Sequence, residues 1–354
     1  MAECPSSGAR ARLRSSILPA QSFVRISGRL REENMKLRTT LLSAAVLAMV
    51  NGMPAFAQSA SDFPTKAMTY IIPFDAGGES DISARFQQAE WKEHTGHDVI
   101  VQYQPGAGGA QAWSQLNEIA GDGYTIMGIN LPHTILQPME GNVGYKTEDL
   151  TPVNYFHYTP NAIFVTADSE FQTLQDLIDY AKNNPGMVTF AGSGAKSANN
   201  LGQLQFDKAA GITTTYVPFS GTGPSVTAVL GKQTVAGFNY ITSGISQGDA
   251  LRILAVSSEE RMAAYPDVPT FKELGFDIVG GAYRGVAVPQ STPEELRVRI
   301  SDIVAEINAD PDFVKKMEEG GFVLTDITYD KMPEFITQMT AEYTEGAKAL
   351  GIGQ

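Results

Sequence analysis

Apolar positions along this chain fall into short blocks of two alternating kinds. Residues 68–73, 99–103, 124–130, 162–167, 188–191, 213–218, 235–240, 251–257 and 284–288 are compact runs rich in apolar and β-branched side chains. Such runs are the mark of strands covered on both faces. Between them the apolar residues recur at three- and four-residue steps, as Ile82, Phe86 and Ala89 do within 81–94. That spacing predicts helices over 81–94, 110–120, 173–183, 197–210, 224–230 and 331–350. Local punctuation supports the reading. Thr173 and Asp176 have capping-box spacing, and Asn184-Pro185-Gly186 stops the helix. Thr292-Pro293-Glu294-Glu295 predicts a helix with Thr292 as N-cap and Pro293 at its first position, and Asp310-Pro311 starts another in the same manner. Strands alternating with helices predict parallel sheets covered by helices. No internal repeat or low-complexity linker interrupts the pattern.

The amino-terminal pattern is different. Met35-Lys36-Leu37-Arg38 is a short basic start, residues 41–50 (LLSAAVLAMV) are apolar, and Ala55-Phe56-Ala57 places small residues where a signal peptidase reads. Together these predict a secretory signal cleaved after Ala57, with 1–34 as an upstream extension. The apolar run is shorter than the ~20 residues that span a bilayer. No Cys follows it, so this is not a lipoprotein site. The expected location is the periplasm.

Removing that segment changes the charge argument. The whole chain has 26 Lys+Arg and 39 Asp+Glu. Residues 1–57 hold eight of the basic and three of the acidic ones, leaving 18 against 36 and a net charge of −18. A surface of that sign does not bind nucleic acid. The single Cys, Cys4, also falls in the removed part. The mature chain therefore has no disulfide, and a transition-metal site is not expected from its four scattered histidines.

The chemistry lies in glycine-rich turns between strands and helices. The first runs Phe74-Asp75-Ala76-Gly77-Gly78-Glu79-Ser80-Asp81. The second is Gly192-Ser193-Gly194-Ala195-Lys196-Ser197, and the third Phe219-Ser220-Gly221-Thr222-Gly223-Pro224-Ser225. A fourth, Pro105-Gly106-Ala107-Gly108-Gly109, follows the strand at 99–103. Glycine lets the backbone approach a ligand closely, and the following helix presents free N–H groups. Each turn alone reads as an ordinary tight turn. The set of four reads as seats for an anion, with Phe74, Ala76, Gly77, Gly78, Gly108, Gly109, Ala195, Phe219, Gly221 and Gly223 shaping them, and with Ser80, Ser193, Ser197 and Thr222 adding hydroxyls.

Three further residues stay open. Asp81 either meets a ligand amine or water, or caps the helix that follows. His133 sits in a loop after a strand, as a surface histidine or a ligand contact. Arg284 serves a hinge or pairs with a distal ligand carboxylate. Arg85 reads as a structural partner. Rival chemistries fit less well. Gly244-Ile245-Ser246-Gln247-Gly248 matches a hydrolase elbow, but a strand follows and no His occurs after His157, so it reads as a loop. Gly192-x-Gly194 lacks the third glycine and the acid of a dinucleotide turn. No catalytic set, cofactor motif or metal cluster emerges.

The same residues resemble the Bug family, the solute-binding proteins of tripartite tricarboxylate transporters. The resemblance rests on Pro73-Phe74-x-x-Gly77-Gly78-x-x-Asp81, Pro105-Gly106-Ala107-Gly108-Gly109 and Asp122-Gly123-Tyr124-Thr125. Val217-Pro218-Phe219 with Gly221, the stretch from Tyr265-Pro266-Asp267-Val268-Pro269 to Gly275, and Val288-Pro289 with Thr292-Pro293 continue it. Ser197-Ala198-Asn199-Asn200 and Phe219-Ser220-Gly221 depart from the family's usual His and Lys-Gly-Gly, which detaches substrate identity from the resemblance. It implies an α/β, two-lobed periplasmic solute-binding fold of type II, each lobe a mixed sheet flanked by helices, with two crossovers. Lobe one is then 63–161 with 282–354, and lobe two 162–281. The implied function is a monomeric, non-enzymatic receptor that takes a small di- or tricarboxylate or aromatic carboxylate, held largely by backbone amides, to integral-membrane transporter subunits. A sensor subunit that engages a membrane kinase is the alternative.

Overall fold

The computed structural model describes residues 62–353. The expected export segment, its expected cleavage site and Cys4 lie outside them. The chain begins β1 (Met68–Ile72), α1 (Glu79–Thr95), β2 (Val99–Tyr103), α2 (Ala110–Trp113), β3 (Thr125–Leu131), α3 (His133–Leu136) and β4 (Thr151–Thr166). It continues α4 (Leu174–Asn183), β5 (Thr189–Gly192), α5 (Ala198–Ala210), β6 (Thr215–Pro218), α6 (Thr222–Leu230), β7 (Ala236–Tyr240), α7 (Ile241–Gln247) and β8 (Leu251–Val256). The last elements are β9 (Gly281–Val288), α8 (Glu294–Asn308), α9 (Pro311–Glu319), β10 (Val323–Ile327) and α10 (Met332–Ala349).

The strands order β2-β1-β3-β9-β4-β7-β5-β6, with β8 and β10 also paired to β4. β4 is the shared member. Its residues from Thr151 to Pro160 pair antiparallel with β9, and those from Asn161 to Phe164 pair antiparallel with β7. One half thus holds β1, β2 and β3 in parallel with β9 running against them, and the other holds β5, β6 and β7 in parallel. Each half has its own apolar cluster. Trp91, Trp113, Tyr155 and Ile300 belong to one, and Phe190, Phe206, Phe238 and Phe271 to the other. Among the described residues no helix is long and apolar enough to cross a membrane.

Several boundaries differ from the sequence expectation. The first half of β4 was not expected, because Pro152, Asn154, His157 and Pro160 interrupt its apolar pattern. The ladder accommodates them with register shifts beside Pro152 and between Tyr155 and His157. β10 is exposed or half-buried along its whole length and has no continuous apolar run, which hid it from a search for doubly covered strands. The helix expected over 110–120 stops at Trp113 and resumes only as a single turn, Leu116–Glu118. α1 begins two residues early, at Glu79, so Asp81 is inside the helix rather than ahead of it. Residues 244–248 are not a loop, since α7 covers most of them and the Ser246 hydroxyl donates to Ser243 O within it. At α8 the N-cap is Pro293, and the Thr292 hydroxyl is buried without a partner. At α9 the Asp310 carboxylate accepts from the amides of Asp312 and Phe313.

Candidate functional site

The four glycine turns arrive from opposite halves of the sheet and meet. A Cβ placed on Gly78 would stand 3.5 Å from Gly223 N and 3.7 Å from Thr222 Cβ, and one on Gly221 would stand 3.4 Å from Phe74 Cβ. The first and third turns therefore face each other across the join, and Ser220 Oγ donates to the Asp75 carboxylate there. A Cβ on Gly194 would lie 3.4 Å from Gly108 Cα, so the second and fourth turns form a matching pair. Between the first, second and third turns is a closed space of about 10 Å³, lined by Phe74, Gly78, Glu79, Ser80, Asn130, His133, Ser193, Thr222 and Arg284. That volume is about one water, so the two halves are drawn together around it.

Arg284 lies at its floor. β9 runs between β3 and β4, and the ladder sets Arg284 opposite Asn130 on one side and His157 on the other. Opposed residues share a face, so these three polar groups stand together in the sheet. Arg284 is only 4% exposed. Its Nη2 is 2.9 Å from Glu79 Oε2, its Nε donates to Ser80 Oγ at 3.2 Å, and its guanidinium carbon sits 4.4 Å from the centre of the Tyr240 ring. Cation and ring belong to opposite halves, so this contact bridges them. The Glu79 contact is an ion pair by distance, and the Thr159 side chain also reaches the Glu79 carboxyl, as the Tyr240 hydroxyl reaches the guanidinium. Burial pushes the Glu79 carboxyl above its ordinary range, against the opposing pull of Arg284.

His133 is 1% exposed and starts α3, which corrects the surface-loop reading. Its ring meets Phe74 and Trp113 edge to face, at 5.8 and 6.2 Å between centroids, and both ring nitrogens lack partners. Burial, reinforced by Arg284, lowers its pKa to about 3, so it is neutral at physiological pH. His157 is lowered well below its ordinary value for the same two reasons. A polar chain runs away from the space through the second half. Tyr240 OH is 3.4 Å from Ser193 Oγ, Ser193 N donates to Asn199 Oδ1, and Asn199 Nδ2 donates to Asn161 Oδ1 on β4.

Residues 83–351 match the family described as the tripartite tricarboxylate transporter family receptor. The chain belongs to that receptor family. A Cupriavidus necator protein, known as the UPF0065 protein in the gbd 5′ region, is 30% identical over 323 residues, covering 87% of this chain and 94% of the relative. The periplasmic binding protein BugD shares the fold with a TM-score of 0.76 and 25% identity, over 82% of this chain and 99% of its own. An R. palustris protein solved with adipate has a TM-score of 0.77 and 25% identity over the same shares. The fold is thus the α/β fold of periplasmic binding proteins, and the family is one of substrate-binding receptors rather than enzymes.

In the receptor twelve of the sequence-derived site residues separate into three groups, and Gly108, Gly109 and Gly221 line none of these spaces. Phe74, Gly78, Ser80, His133, Ser193, Thr222 and Arg284 line the closed space. Ala76, Gly77, Phe219 and Gly223 line an outer groove of about 510 Å³ between the first and third turns. Ala195 faces a separate opening beside Ala107 and Ala110. Asp81 is committed internally, since its carboxylate accepts from Gly77 N at 2.8 Å, Tyr103 OH at 2.7 Å and Arg85 Nε at 3.1 Å. Ser197 caps α5 and is fully buried.

The amide cradle is also narrower than the sequence suggested. The amides of Gly77, Gly109, Ser193 and Lys196 already donate inside the protein. Among the described residues those of Gly78, Glu79, Ser80, Gly194, Ala195 and Gly221 have no acceptor. The fourth turn leads only into the four-residue α2 and has little helix dipole to offer. Glu79, Asn130 and Tyr240 were not anticipated. One signal pointed to Glu79: an arginine on a doubly covered strand requires a buried counter-charge. A much larger groove, about 1520 Å³, runs between α8 and α10, but it shares no residue with this constellation.

Proposed function

We propose that this receptor captures a small carboxylate between the two halves, as a monomer, and delivers it to the membrane subunits of a tripartite transporter without altering it. The observation that carries this reading is the meeting of turns from both halves around one buried arginine. Unspent amides and Arg284 supply the donors that an anion needs on an otherwise acidic protein. The neighbour solved with adipate supports a dicarboxylate, and the aromatic ring of Phe74 is compatible with an aromatic carboxylate.

The mechanism is closure. Residues 63–161 with 282–354 act as one lobe and 162–281 as the other, hinged along β4 and at the start of β9. A shift from mostly open to mostly closed needs about 5.5 kcal/mol of differential binding. A micromolar ligand supplies about 8 kcal/mol in total, which is sufficient. We also propose export to the periplasm with cleavage after Ala57, which the intact mass of exported protein checks. The binding test is thermal melting with adipate and with benzoate. A ligand at a hundredfold excess over its Kd stabilises the native state by about 2.7 kcal/mol. The ligand should come back unchanged. Absence of any shift with both, or chemical conversion of either, overturns the proposal.

A further inference from the structure

The groove between α8 and α10 stands apart from the closed space and belongs to one half alone. At about 1520 Å³ it exceeds the ~300–1,000 Å³ of ordinary small-molecule pockets. The helices that wall it have 15 and 18 residues, about 22 and 27 Å at 1.5 Å per residue. Those dimensions suit a helix better than a solute. Each wall presents a regular stripe. Glu294, Val298 and Asp302 recur at four-residue steps on α8, and Thr337, Ala341 and Glu345 do so on α10. Val298 is 41% exposed, so a branched apolar side chain faces water on the first wall. Carboxylates stand at both ends of the first stripe and at one end of the second.

The charge around the groove is one-sided. Five acidic residues line it, Glu148, Glu294, Asp302, Asp330 and Glu345, against one basic residue, Lys348. Over residues 58–354 the proportion is 36 to 18, so the groove is more acidic than the chain around it. Among the described residues Glu294, Asp302 and Glu345 have no ion-pair partner. An apolar strip rimmed by unpaired carboxylates is complementary to a helix with an apolar face and a rim of Lys or Arg. We propose that this groove is a docking site for a basic amphipathic helix of a partner protein. The site lies wholly in one half, so docking there needs neither closure nor a captured solute, and the proposal is independent of the carboxylate-capture reading.

The test is fluorescence anisotropy with a labelled peptide of about 18 residues, leucine and lysine placed at helical spacing, matched in length to α10. Wild type should bind it saturably with one site. Ala341→Trp, which fills the middle of the groove, should weaken binding at least about tenfold. Asp302→Lys with Glu345→Lys should do the same, while Glu170→Lys with Glu318→Lys, the same charge change at exposed positions outside the groove, should cost less than about twofold. Melting curves establish that each variant is folded. If Ala341→Trp is not, Thr337→Trp blocks the same stripe one turn earlier. Equal losses in the two charge-reversed variants would mean general attraction to an acidic surface and overturn the proposal. So would undiminished binding by the blocked variant, equal binding of a peptide with glutamate in place of lysine, or no binding by wild type. Light scattering covers the remaining occupant: a wild-type dimer that Ala341→Trp converts to monomer assigns the groove to a second copy of this chain and overturns the basic-helix partner.

Discussion

Gly109 and Gly221 were read from the sequence as the same kind of residue, and their surroundings make them different. Gly109 has φ +96°, and a Cβ there would fall 2.5 Å from the Trp113 ring. Gly221 has φ 170°, extended backbone that any residue adopts, with Phe74 Cβ 3.4 Å from where its own Cβ would be. Gly78 is likewise unstrained at φ −88°. Gly109→Ala should therefore lower the melting temperature of the unliganded protein. Gly221→Val should leave it nearly unchanged while weakening ligand binding more than tenfold, because its methyl groups obstruct the approach of the first and third turns; melting and calorimetry on the two variants separate the cases. His133 gives a second prediction. Its pKa of about 3 in the folded protein lies below the ordinary 6.5 of an unfolded chain. Between those values the unfolded state binds more protons, so stability falls as pH drops from 6.5 towards 3, by about 1.4 kcal/mol per pH unit. Denaturant melts of wild type and His133→Gln across that window should show a shallower acid limb in the variant. Parallel curves would mean that His133 is protonated in place.

Ser197 shows how an element's start can be mistaken for a ligand contact. Its hydroxyl accepts from Asn200 N at 3.2 Å and lies 3.0 Å from Tyr216 OH, which fixes the beginning of α5 and ties it to β6. Ser197→Ala should cost about 1–2 kcal/mol, typical of a lost N-cap, and lower the melting temperature by roughly 2–4 °C per kcal/mol, with ligand affinity changed far less. An affinity loss above tenfold at unchanged stability would return Ser197 to the binding site. The capping box of Thr173 and Asp176 and the Asp310-Pro311 start were legible because each is a local arrangement of a few residues. The break after Trp113 was not. Residues 110–120 are helical in spacing, and only the packing of Trp113 between Phe74, Tyr145 and His133, with its indole N–H on Gly128 O, decides where the helix ends.

At the scale of the whole molecule, β4 is the strand that pairs in both halves and β9 begins at the join, and the proposed closure would act there. A Cβ on Gly281 would overlap Thr159 O, so the crossing requires glycine there. Small-angle scattering should report a smaller radius of gyration on adding a bound carboxylate; an unchanged radius at saturation would mean that binding does not proceed by closure. Most strand and helix positions, the capping signals and the glycine turns were written in the sequence, because each depends on residues within one or two turns of chain. Family membership was legible too, in motifs whose order survives along the chain. What only the tertiary structure decided was pairing over long separations: β4 serving both halves, turns 145 residues apart in sequence sharing a hydrogen bond, and Glu79 meeting Arg284. No local pattern specifies a charge partner two hundred residues away. The desolvation that makes such a partner necessary arises only once the sheet is assembled around it.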